Sequence, residues 1–198
     1  MSLDLIITKQ TDEFFKDHID LAIKNQNIEL SDQTKFYLID LLSRNTTNNI
    51  VNGVLDQIYG ETPLSIIFQQ SFIEPVKQKK IMLKYVGDYS LYVGGFFSES
   101  FNRKIIDLSY YIGIGELAFS NLAKVAASSK LSSLYTEIHS RFPVLIDVLM
   151  EVSFDTCITK AQDLIRTYDR WVQTGSLILK RKLIEKGLIT LDKKIKIS

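Results

Sequence analysis

Between Val76 and Phe97, residues Ile81, Tyr85, Asp88, Tyr92 and Phe96 recur every three or four positions, the spacing that stacks side chains on one face of an α-helix. The same spacing runs through most of the chain. No Asn-Gly or Asp-Gly pair lies between alternating runs to signal a hairpin, and the three prolines sit where helices begin or bend. The pattern therefore predicts an all-α protein.

Helix boundaries follow from the caps. Thr11 is expected to cap a first helix whose apolar arc is Phe14, Phe15, His18, Ile19, Ala22 and Ile23, and Ser31 to cap a second through Leu42. A short apolar segment, Ile50 to Ile58, precedes GETPLSIIF, where Thr62 reads as a cap and Pro63 as the first helical residue. Pro75 does the same for the helix through Phe97, and Ser109 caps YYIGIGELAFSNLAKVA. Another helix starts near Ser132, with Pro143 kinking or splitting it. The last runs unbroken to Gly187, the left-handed position after its end. With no repeat and no Gly/Ser linker, the expected architecture is a single-domain bundle of about seven helices over residues 1–187, followed by a basic, partly frayed tail, 188–198.

Composition narrows the function classes. The 198 residues are 45% hydrophobic and 24% charged, the balance of a globular protein able to bury its own core. The single cysteine, Cys157, forms no internal disulfide, and with two histidines it makes no zinc finger, so a reducing, cytoplasmic setting is expected. The start, MSLDLIITKQ, lacks the pattern of a signal peptide, and no apolar run is long enough for a transmembrane segment. Net charge is +1. The excess of basic residues after Lys180 reads as a solvated end, so this tail argues against nucleic acid or an anionic membrane surface as its partner.

Nine of the 21 aromatic residues and five of the nine glycines fall between Ile81 and Phe119, which marks that region as either a ligand pocket or the central packing layer. Asp88 sits among those rings, where an ionised carboxylate needs a partner; Arg103, Lys104, Arg166 and Arg170 are the cations named for it. As a ligand site, the set is Asp88, Tyr85, Tyr92, Gly94, Gly95, Arg103, Tyr111 and Gly115. As a structural anchor, Asp88 holds two helices together. His18, inside an apolar arc, is either a core side chain or an axial heme ligand, and His139 has the weaker version of that claim. GIGELA, Gly113 to Ala118, matches a dinucleotide fingerprint in letters but lacks the strand before it. Cys157 has no neighbouring base, and Trp171 reads as a helix anchor or an interaction hot spot. No catalytic set emerges.

Two resemblances bear on this. YVGDYSLYVGGFFSESFNRKIIDLSYYIGIGELAF, with FYLIDLL, FPVLIDVL and IRTYDRWVQTGS, resembles a family of bacterial proteins of about this length without an assigned activity, over about Phe36 to Leu188. That resemblance implies a bacterial cytosolic protein and carries no cofactor or site. YVGDYSLYVGG is also similar to the glycine-rich distal helix of heme oxygenases, all-helical proteins with a proximal histidine on their first helix. Tyr85, Gly87, Asp88 and Ser90 match, His18 would stand for the ligand, and the paired glycines align only with a shift. Two functions follow as expectations: a non-enzymatic module that binds a protein partner or forms a homodimer through aromatic surface around the central helices, or a helical bundle with a small-molecule or heme pocket, with catalysis an option there.

Overall fold

The three- and four-residue spacing is realised as helix. The computed structural model describes residues 3–48, 58–96, 108–157, 168, 171–172 and 174–185, and among them it has eight α-helices and no strand. These are α1 (Leu3–Gln26), α2 (Asp32–Asn48), α3 (Leu64–Gln70), α4 (Val76–Gly95), α5 (Leu108–Lys124), α6 (Ser129–Ser140), α7 (Phe142–Cys157) and α8 (Leu177–Glu185). The all-α bundle is thus the fold. It packs as two compact units, Met1–Ser153 and Phe154–Ser198. The tail 188–198 and Gly187 lie outside the described residues, as does the segment 51–57.

Several helix ends differ from the sequence expectation, each for a local reason. Helix α1 already begins at Leu3, so Thr11 is an interior residue and not a cap. Its end is a Schellman turn: Asn27 takes φ 53°, its N–H donates to Lys24 O at 3.1 Å, and Ile28 N–H donates to Ile23 O at 3.2 Å. Pro63 occupies the cap position itself, at φ −55° and ψ 137°, so Thr62 does not cap α3; Pro75 does the same for α4. An extended proline there accepts the first i to i−4 bond of the helix through its carbonyl, as Pro75 O does from Lys79 N at 2.9 Å, and loses nothing by lacking a donor. Ser109 falls inside the first turn of α5. Ser128, ahead of Ser132, caps α6: its Oγ accepts from Leu131 N at 3.3 Å.

Pro143 splits its helix. Arg141 leaves the helical region at φ −114° and ψ 13°, ending α6, and α7 restarts at Phe142 with the proline in its first turn. The expected unbroken last helix is interrupted at Gly175, which takes φ +65° with its N–H on Trp171 O at 2.9 Å. That conformation suits a residue without Cβ.

In the first unit α4 is the hub. It lies against α5 and α3; α5 in turn packs on α6, and α1 on α2. The close approach is made by glycine. A Cβ placed on Gly87 would stand 2.7 Å from the Phe119 ring, one on Gly94 2.8 Å from Ile146 Cδ1, and one on Gly95 2.5 Å from Leu149 Cβ. On α5, Gly115 receives the tip of the Phe142 ring, closer still. Large side chains of α5 and α7 therefore fill the notches of α4 and α5, which is how interiors reach close packing.

Candidate functional site

Helix α4 is so enclosed that Asp88, in its middle, is 6% exposed. A carboxylate at such a position must be satisfied locally. Lys84, one turn earlier on the same helix, brings Nζ to 2.5 Å from Oδ2, a helical i, i+4 ion pair. Tyr37 of α2 donates its hydroxyl to Oδ1 at 2.5 Å. Arg44, two turns along α2, places Nη2 3.8 Å from Oδ2 and 2.8 Å from Asp40 Oδ2. The Lys84 ammonium also donates to Tyr37 Oη at 3.1 Å and lies 4.9 Å from the centroid of that ring.

The cluster is balanced in charge, Asp40 and Asp88 against Arg44 and Lys84, and it ties α2 to α4. Burial first, and the Asp88 charge and hydrogen bond after it, push the Tyr37 phenol well above its ordinary range, so Tyr37 stays a neutral donor. Phe119 and Tyr135 complete the walls, with ring centroids 5.9 and 6.5 Å from that of Tyr37. Burial and the Asp88 charge raise Tyr135 likewise.

Two more carboxylates join elements. Glu137 of α6 accepts from Ser31 N at 3.0 Å, from Thr34 Oγ1 at 2.8 Å and from Ser31 Oγ, so a side chain of one helix caps the N-terminus of another. Burial alone would raise it; the Ser31 and Thr34 bonds and the Arg141 charge outweigh that and hold it below the ordinary carboxylate range. Glu151, fully buried on α7, accepts from Asn25 Nδ2 at 2.8 Å and Gln26 Nε2 at 2.9 Å at the end of α1. One turn before it, Asp147 is pushed up to about 6 by burial, and among the described residues no hydrogen bond or ion pair reaches its carboxylate.

The residues expected as a ligand set are divided among separate contacts. Asp88 bonds to Tyr37, Lys84 and Arg44, partners other than the four cations named from sequence; Arg103, Lys104, Arg166 and Arg170 lie outside the described residues. Tyr85 packs on Tyr59 and Tyr89, with centroids at 5.5 and 5.8 Å. Tyr92 stacks on Phe96 at 5.7 Å, and Phe96 meets Phe15 of α1. Tyr111, raised by burial and then by Tyr89 and Tyr110, has its ring 5.4 Å from that of Tyr110. Gly94, Gly95 and Gly115 are the filled notches described above. Tyr85, Tyr92 and Tyr111 are buried, while Tyr89, Phe96 and Tyr110 are half-buried.

His18 packs against Phe14, with ring centroids 4.4 Å apart and the planes tilted by 60°, and its Nδ1, like that of His139, is buried without a hydrogen bond among the described residues. No hydrogen bond, ion pair or ring contact joins His18 to Asp88 among them. Nor do they contain a group of three or more metal-ligating side chains. GIGELA lies inside α5, preceded by helix, so the strand a dinucleotide site needs is not there. Cys157 is the last residue of α7, and Trp171 is half-buried against Tyr168 at 5.7 Å. No helix of the described residues is long and apolar enough to cross a membrane.

A feature that sequence did not single out is at the corner between α3 and α4. Phe72, Ile73 and Val76 are 49, 85 and 59% exposed, and Ile66 of α3 is 40% exposed. Neither a family model, nor a curated protein, nor a solved structure matches this chain.

Proposed function

We propose that the protein is a non-enzymatic interaction module that binds through the α3–α4 corner, while the Asp88 cluster serves to lock its centre. The observation that carries this is Ile73, 85% exposed, with Phe72 and Val76 beside it at 49 and 59%. Leaving one such side chain in water forfeits about 2 kcal/mol of burial. Single exposed apolar residues are ordinary, but a cluster marks a contact surface. The central carboxylate supports the same reading, because its oxygens are already engaged by Lys84 and Tyr37. With the resemblance to a bacterial family, the setting is taken to be the bacterial cytosol. The geometry favours the heme or small-molecule reading less, since the glycines expected to open a pocket are filled by Phe119, Ile146, Leu149 and Phe142.

The test is site-specific photocrosslinking in intact cells, with a photoreactive phenylalanine analogue at position 73 and, as control, at exposed Lys130. Adducts at 73 and few at 130 are expected; equal yields at both would overturn the assignment of the surface.

A further inference from the structure

Every residue from Phe72 to Lys77 is exposed, so the corner is an edge that stands out from the bundle. We propose that this edge docks on an anionic lipid bilayer, with Phe72, Ile73 and Val76 entering the headgroup boundary and Lys77, Lys79 and Lys80 lying on the phosphates. The inference rests on the binding reading above and names its partner.

Charge distinguishes lipid from the other occupants. From Ser71 to Ile81 there are three lysines and one acid, Glu74, and none of these four is in an ion pair among the described residues. Helix α4 has no acid in its first turn, so on this edge Glu74 alone offsets the three lysines. Protein interfaces are depleted in lysine relative to the rest of the surface, whereas three of the ten residues after Ser71 are lysine here. A two-fold contact with a second copy would bring six lysines into one interface with only two Glu74 carboxylates to offset them, a repulsive balance. An anionic membrane surface satisfies both halves of the edge, since apolar side chains enter the acyl boundary and basic ones gain from the surface potential. Lys79 already lies over the Phe72 ring, Nζ 4.5 Å from its centroid, which keeps charge and ring on the same side.

The experiment is flotation of the full-length chain with phosphatidylcholine vesicles, with and without phosphatidylglycerol, at low and high salt. Binding only to the anionic vesicles, weakened by salt, is expected. Each lysine-to-glutamine change among Lys77, Lys79 and Lys80 should weaken it about fivefold. Ile73→Asp should abolish it with an unchanged melting curve, and Ile73→Leu should retain it. No flotation with anionic vesicles at low salt, or flotation of Ile73→Asp equal to that of the native chain, overturns the proposal. If vesicles fail while the crosslinker at 73 captures a protein, the lipid assignment falls and the binding reading stands; if both fail, both fall.

Discussion

Asp88 shows what a buried charge costs a fold and how the cost is offset. Its two oxygens are met by a phenol from α2 and an ammonium from its own helix, so removing the negative charge leaves Lys84 without its ionic partner and Arg44 with Asp40 alone. Asp88→Asn is expected to lower stability by about 2 kcal/mol and Tyr37→Phe by about 1 kcal/mol in urea unfolding, and the two together by less than their sum. Asp147 works the opposite way. Its folded value, about 6, lies above the ordinary 3.8, so the folded state holds its proton more tightly and stability declines as pH rises through that window. Asp147→Asn should raise stability by about 2 kcal/mol at pH near 8, with the difference vanishing below about pH 4, as measured by denaturation across pH. Glu137 is depressed, so its contribution is full above the ordinary carboxylate range and is lost on acidification. The sequence contained part of this. Lys84 and Asp88 stand four apart in one helix, a spacing that names the pair without a structure, whereas Tyr37 and Ser31 reach their carboxylates only through tertiary packing.

Among the elements, α4 and α5 owe their approach to glycine, and the two glycines of α5 give opposite expectations. Gly115→Ala drives a methyl group into the Phe142 ring and should cost about 1–3 kcal/mol. Gly113 has open space at its Cβ direction, and Gly113→Ala should gain about 0.5–1 kcal/mol from helix propensity. Differential melting of the pair checks both. Helix existence was legible because periodicity is local, and Ser31 was legible as the cap of α2, where its Oγ accepts from Thr34 N at 3.2 Å, because a serine before an apolar run has few other uses. The ends at Leu3, Pro63 and Ser128 were not, since an apolar run upstream or a proline one position early shifts a boundary without altering the periodicity. Gly175 carries a signal that was available: a glycine inside a long helical pattern marks a break.

At the scale of the whole molecule, the concentration of rings and glycines between Ile81 and Phe119 marked the centre as either pocket or packing layer, and among the described residues Gly87, Gly94, Gly95 and Gly115 are filled by neighbouring side chains. The exposed corner was not legible, because FIEPV reads the same whether its apolar residues point into a core or into water; only the placement of α3 and α4 decides that. The bundle thus divides its labour between a closed middle, held by Asp88 and the glycine notches, and an open edge at Phe72 to Lys80. Hydrogen exchange of the full chain with and without phosphatidylglycerol-containing vesicles measures this division directly. The expected result is slowed exchange confined to residues 66–80 with Lys84 to Gly95 unchanged; protection centred on Tyr37 and Asp88, or none at the corner, would contradict it.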